Sequence, residues 1–235
     1  MRIVVRKINI KGPVVDNDTG WVYDWLGLDS ASPKAVNDIL NDEELDPDED
    51  IQVDIASNGG DVFAASEIYA ALRSAKGKVT VNVQGLAASA ASFIAMAGDE
   101  VNIAPTAQIM IHKASFGNTT GNSDDMTHNA GVLDGLDVSI SNAYQLKTGL
   151  AQADLLQMMS NETWLTAQQA VDKGFADNIM FVDENAPLVT NDVAGVMPSK
   201  QAVNKMLNLI AKEKTNNQTS SDQLKQTKVA ILLGK

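Results

Sequence analysis

Apolar and polar positions alternate along the first half of this chain in two periods that take turns. Ile51-Gln52-Val53-Asp54-Ile55 and Val79 to Val83 follow a period of two and predict strands. Val62 to Ala75 and Ser89 to Ala97 carry their apolar residues at helical spacing instead. Two more short strands are expected near Glu100–Ile103 and Gln108–His112. Strands and helices exchanging at this spacing predict βαβ crossovers over a parallel sheet, an α/β fold.

The flanking regions read differently. Residues 1–50 open with a short β pattern and pass into a turn-rich, acidic stretch. There Ser32 and Pro33 mark a helix start, with Ser32 as N-cap, running through Val36 and Ile39 to Leu40. Glycine, asparagine, threonine and serine interrupt residues 114–125. A long helix from about Thr127 to Thr148 then carries Val132, Leu133, Leu136, Ile140 and Tyr144 as its apolar positions. A shorter helix, Gln152 to Ser160, comes next. Thr166 and Gln169 form a capping box for another helix, which Gly174 stops, and Asn178 to Val182 is the last expected strand. Residues 1–185 thus read as one domain. Residues 186–235 form an extension, with an amphipathic helix over Lys200–Lys212 that aligns Val203, Met206, Leu207 and Ile210.

Composition narrows the function. The chain has 235 residues, 44% of them hydrophobic, enough for a sizeable core. It has no cysteine, which removes disulfides, thiolate metal sites and cysteine catalysis. No apolar run reaches a membrane-spanning length, and the first residues lack a signal-peptide pattern, so a cytoplasmic location is expected. Residues 199–235 hold seven lysines against Glu213 and Asp222, a net of +5; with a formal total of −12, residues 1–198 carry −17. An acidic body argues against nucleic-acid binding, which depends on neutralising phosphates. The basic end is a solvated appendage, a contact for an acidic partner, or a contact for the acidic body itself.

Candidate chemistry concentrates around one turn. Val79 to Gln84 leads into Gly85-Leu86-Ala87-Ala88-Ser89, placing a hydroxyl where a strand meets a helix N-terminus. Ser89 is either a nucleophile or an N-cap, and Ser92 is the rival hydroxyl within the helix. His112 ends a strong strand and is either a base or a core histidine; His128, among Asp124, Asp125 and Asn129, reads as solvated. Ser57-Asn58-Gly59-Gly60-Asp61 joins a strand to a helix that Asp61 can cap. Its glycines leave backbone N–H groups uncovered, which suits an oxyanion hole from Gly60 and Ala90, a plain βα turn, or a phosphate site. Dinucleotide and P-loop spacings are absent. For the acid that orients the histidine, Glu162 is the candidate, whereas Asp134 and Asp137 read as solvent-facing charges on the long helix. No histidine–carboxylate spacing suits a catalytic metal, and no cofactor is expected.

Taken together, Gly85-x-Ala-Ala-Ser89-x-x-Ser-Phe, Met110-Ile111-His112 and Trp164-Leu165-Thr166-Ala167-x-x-Ala170 with Gly174 and Asp177 resemble the proteolytic subunit family of the Clp protease (ClpP). The Ser57–Ala64 turn is most similar to the phage and prophage branch, the head maturation proteases. The likeness covers roughly residues 50–182. It implies a crotonase-like ββα superhelix with a protruding handle helix from about residue 127. It also implies a serine endopeptidase assembled as heptameric rings, two of which stack into a tetradecamer. By this resemblance Ser89 is the nucleophile and His112 the base, and Gly60 and Ala90 supply oxyanion N–H groups. Substrate peptide adds as a strand beside Gly59 and the segment that begins at Lys113. Glu162 stands where housekeeping subunits have aspartate, Asn58 stands where they have proline, and the first thirty residues do not resemble their axial loops. The implied substrate is a capsid or scaffold protein. The alternatives are a degradative subunit working with an AAA+ unfoldase and a catalytically silent assembly protein.

Overall fold

The computed structural model describes residues 5–182 apart from residues 43, 45 and 47. The expected extension over 186–235, with its Lys200–Lys212 helix, lies outside the described residues.

Seven strands form one sheet. Strands β1 (Arg6–Val14), β2 (Ile51–Gly60), β3 (Val79–Ala88), β4 (Glu100–Ile103) and β7 (Asn178–Ile179) lie side by side in that order, every neighbouring pair parallel. The remaining strands, β5 (Gln108–Ile111) and β6 (Thr163–Thr166), continue from β3, β5 parallel to it and β6 antiparallel to β5. The alternating order predicted this sheet. Helices α3 (Val62–Arg73) and α4 (Ala90–Ala95) make the crossovers and cover one face. Ile8, Ile10, Val53, Ile55, Val81 and Val83 meet Ile68, Leu72 and Ile94 in a closed apolar core, each side chain contributing about 1.5–3 kcal/mol by leaving water.

The opposite face carries a polar ladder. Asp54, Asn82, Asn102 and Asn178 occupy matching register positions on β2, β3, β4 and β7. Asn82 Nδ2 donates to Asp54 Oδ1 at 3.0 Å, Asn102 Nδ2 to Asn82 Oδ1 at 3.3 Å, and Asn178 Nδ2 to Asn102 Oδ1 at 3.1 Å. Lys7 closes one end on Asp54 at 2.8 Å.

Several bounds differ from expectation for local reasons. Helix α1 (Asn17–Trp25), capped by Asp16, occupies part of the stretch expected to be turns. Gly20 is its only buried residue, so no apolar stripe revealed it. Helix α2 (Pro33–Leu40) begins as expected, with Ser32 Oγ accepting from Ala35 N–H. The long helix, α5 (Ser123–Thr148), starts earlier than expected because Asn122 and Asp125 form a capping box. Helices α6 (Gln152–Ser160) and α7 (Ala167–Asp172) follow, and Thr166 and Gln169 make the expected box. The expected last strand shrinks to two residues.

The buried face of α5 also departs from expectation. Asp137, Ile140, Ser141, Ala143 and Tyr144 turn inward, while Val132 is exposed. Asp137, read from sequence as a solvated charge, is only 3% exposed. It lies on the i, i+3, i+4, i+7 stripe with Ile140, Ser141 and Tyr144, and its carboxylate has partners there.

Candidate active site

The site grows from a fork in β3. Thr80–Val83 pair with β4, whereas Leu86–Ala88 pair with β5, so the strand changes neighbour around Gln84 and Gly85. Ala88 stands beside Met110, and the next N–H, that of Ser89, donates to Met110 O at 2.9 Å. His112 directly follows β5. Adjacent strand ends thereby deliver serine and histidine to one place.

Ser89 Oγ lies 2.7 Å from His112 Nε2. The serine makes no side-chain capping bond to α4, so the N-cap reading does not hold. Its backbone sits at φ 52°, ψ −125°, a conformation costly for any residue with a Cβ. Only three non-glycine residues among those described have positive φ: Ser89, Glu162 and Phe181. Ala90 is the first residue of α4, so its N–H has no partner within the helix and faces the same turn.

Gly59 closes the turn from the other side. A Cβ there would lie 2.5 Å from Ala88 O, 2.7 Å from Ala90 N and 2.8 Å from Ser89 Cβ, and its φ is +87°. Ser57 shapes this loop: its Oγ accepts from Gly59 N–H at 3.1 Å and donates to Gly12 O. Gly60, φ +152°, packs against β1, where a Cβ would meet Val14 O at 2.1 Å. Asp61 Oδ1 caps α3 by accepting from Ala64 N–H at 2.7 Å. Ser57 and Gly59 therefore set the surface beside Ser89, while Gly60 is held by β1.

Glu162 stands close by through strand register. Antiparallel pairing ends with Ile111 beside Thr163, and His112 and Glu162 are the next residues beyond those paired ends. Its carboxylate is nevertheless exposed and accepts from Trp164 Nε1 at 3.3 Å, with its backbone at φ 48°. Among the described residues no hydrogen bond joins Glu162 to His112. Lys113, the expected substrate contact, is exposed, with its Nζ 3.3 Å from Asp137 Oδ2 and 4.0 Å from Asp134 Oδ1. His128 is exposed on α5.

Two residues beside the site were not singled out from sequence in these roles. Ser92 Oγ donates to the Ser89 carbonyl, and Tyr144 OH lies 2.7 Å from Ser92 Oγ. Burial pushes the Tyr144 hydroxyl's pKa well up, and its bond to Ser92 offsets only part of that, so it remains a neutral donor. Tyr144 falls on the stripe with Asp137, the one sequence signal that linked them.

The family model for Clp protease matches residues 28–183, a span holding every residue of the site. The chain belongs to the Clp protease family. Curated Clp protease relatives include the ATP-dependent Clp protease proteolytic subunit of Deinococcus radiodurans, 31% identical over 140 residues, 59% of this chain and 68% of the relative. Proteolytic subunit 1 of Chlamydia abortus is 30% identical over 156 residues, 65% of this chain and 81% of the relative. Subunit 2 of Tropheryma whipplei is 30% identical over 165 residues, 66% of this chain and 88% of the relative. Membership in the Clp protease family makes the chain a peptidase. Among the described residues no helix is long and apolar enough to cross a membrane.

Proposed function

We propose that the chain is a serine endopeptidase in which Ser89 attacks the substrate carbonyl and His112 is the general base. The observation that carries this reading is the 2.7 Å contact between Ser89 Oγ and His112 Nε2 at a strained strand-to-helix turn. A serine hydroxyl is a weak nucleophile until a neighbouring base takes its proton. His112 Nε2 accepts that proton as Oγ bonds to the carbonyl carbon, then delivers it to the leaving amine. A water molecule repeats the sequence to release the acyl group. Charge developing on the carbonyl oxygen is met by the N–H groups of Ala90 and Gly60. Glu162, just beyond the β6 end that pairs with Ile111, is the orienting acid once its carboxylate leaves Trp164. Substrate adds as a strand between the Gly59 turn and the segment from Lys113.

The biological role proposed is cleavage of capsid or scaffold proteins during phage head maturation, by homo-oligomeric rings. Its support is the phage-like Ser57–Ala64 turn and the sequence that continues beyond residue 182. The exposure of most of residues 123–135 in α5 supports ring stacking, because a handle helix would leave such a stretch for a second ring to cover. A second reading is favoured by the names of the relatives, which are ATP-dependent subunits: degradation with an AAA+ partner.

Fluorophosphonate labelling with peptide mapping tests the chemistry. Stoichiometric label on Ser89, lost in His112→Ala, is the expected result; label elsewhere, or none in assembled rings, overturns it. Co-expression with a capsid precursor tests the role, since cleavage should stop in Ser89→Ala. Casein degradation that depends on an added unfoldase and ATP would favour the second reading instead.

A further inference from the structure

Helix α5 reaches the catalytic pair from behind at two points. Asp137 and Tyr144 are seven residues apart, so they share one helix face, and both are buried. Asp137 Oδ1 accepts from Ala114 N–H at 2.7 Å, and its Oδ2 faces Lys113 Nζ at 3.3 Å. One carboxylate thus holds the two residues that follow His112. At the other point Ser92 Oγ donates to Ser89 O, and a carbonyl can only accept. The Ser92 proton is therefore committed, and Tyr144 donates to Ser92.

We propose that Asp137 and Tyr144 are positioning residues: α5 sets the spacing of Ser89 and His112 through these two ties. The proposal rests on Ser89 and His112 being the catalytic pair. Its physical basis is that neither partner is fixed by its own strand alone. Ser89 occupies a costly backbone conformation, and its carbonyl is held by two donors, Ser92 N–H at 2.9 Å and the Ser92 Oγ that Tyr144 supports. His112 stands beyond the last paired residue of β5, so the next fixed point along its chain is Ala114. A buried carboxylate is costly unless hydrogen bonded, and here its partners are that N–H and the Lys113 ammonium. Because both ties start from one rigid helix, the two groups keep their separation as a unit. A shift of the order of 1 Å between reacting groups lowers turnover about a hundredfold.

The test compares Asp137→Ala, Asp137→Asn and Tyr144→Phe in the full chain, by peptide hydrolysis and by rate of fluorophosphonate labelling. Circular dichroism and gel filtration check fold and assembly. Asparagine keeps an acceptor oxygen for Ala114 N–H, and phenylalanine keeps the ring packed 5.6 Å from Phe175. The expected result for Asp137→Ala is a fall of roughly 10–100-fold in kcat and labelling rate with KM nearly unchanged. Asp137→Asn should be rescued to within about threefold of wild type, and Tyr144→Phe should lose about three- to tenfold in kcat. Asparagine as impaired as alanine would overturn the proposal, since charge rather than anchoring would then be the cause. Wild-type kcat in Asp137→Ala or Tyr144→Phe would overturn it too. Ser89→Ala separates the two readings. If it retains activity, the catalytic assignment fails; if it is inactive while the α5 variants are normal, only the positioning role fails.

Discussion

Gly59 lies so close to Ala90 that a Cβ on the glycine would sit 2.7 Å from the Ala90 nitrogen. That nitrogen opens α4 and has no intrahelical partner. The glycine thus leaves room beside the donor for an oxygen atom that a side chain would displace. Its positive φ and its closeness to Ala88 O make the same demand independently.

Gly59→Ala should therefore remove activity while the chain still folds. The methyl covers the Ala90 N–H, and loss of one oxyanion donor lowers kcat by about 10²–10³-fold. Strain at φ +87° adds a stability loss of about 1 kcal/mol or more. Peptide hydrolysis and thermal unfolding on the same preparation measure both. Near-normal kcat with the expected loss of stability would mean that the Ala90 N–H does not serve the reaction.

Ser89 invites the opposite experiment, because its conformation favours function over stability. Ser89→Ala and Ser89→Gly both remove the hydroxyl and its contact with His112, so both should be inactive. Only glycine relaxes at φ 52°, ψ −125°. Ser89→Gly should exceed Ser89→Ala in stability by about 1 kcal/mol, a difference of about 2–4 °C in Tm for a chain this long. Equal melting temperatures would show that the turn is not strained.

Glu162 and His112 each lie one residue beyond the paired ends of β6 and β5, but the Glu162 carboxylate is bonded to Trp164. If the carboxylate turns to His112 when substrate is bound, Glu162→Gln should lower kcat on the order of a hundredfold. That is less than the roughly 10⁴-fold loss when a buried triad aspartate becomes an amide, because this site is exposed. Trp164→Phe removes the competing donor and should leave kcat unchanged or higher. Full activity in Glu162→Gln would free the site of any acid at this position.

The parts of this protein that were legible in sequence are those whose signals are local. Period-two runs such as Ile51–Ile55 marked parallel strands, and Ser32-Pro33, Asp61 and Thr166 marked helix starts that carry those caps. Ser89 and His112 stood out as candidates, with an N-cap and a core histidine as the alternatives, but their 2.7 Å approach depends on the β3–β5 pairing and was not legible. What escaped depended on burial or pairing across the chain. Helix α1 buries only Gly20, so its apolar residues gave no stripe. Asp137 was read as solvated because charge usually marks an exposed face, whereas Ala114 N–H and Lys113 lie more than twenty residues away in sequence. The β5–β6 pairing, whose ends lead directly to His112 and Glu162, is likewise a tertiary fact.

The polar ladder makes acid stability depend on one of its members. Burial raises the Asp54 carboxyl's pKa, but hydrogen bonds from Lys7, Asn82 and Gln52, with the Lys7 charge, outweigh burial and hold it below the ordinary 3.8. A folded value below the unfolded one means that the unfolded chain takes up the proton more readily. This contribution to stability is therefore complete above the unfolded pKa and disappears as pH falls through the folded one. Asp54→Asn can still accept from Asn82 but cannot pair with Lys7, so it should be less stable than wild type at neutral pH. Urea midpoints of the two proteins should then converge as pH falls from above the ordinary 3.8 through the lower folded value, where the wild-type carboxyl takes up its proton. Curves that stayed parallel over that range would show that Asp54 contributes through shape and hydrogen bonding alone. Convergence would identify its charge, neutralised by Lys7 across β1 and β2, as what holds the polar face of the sheet together.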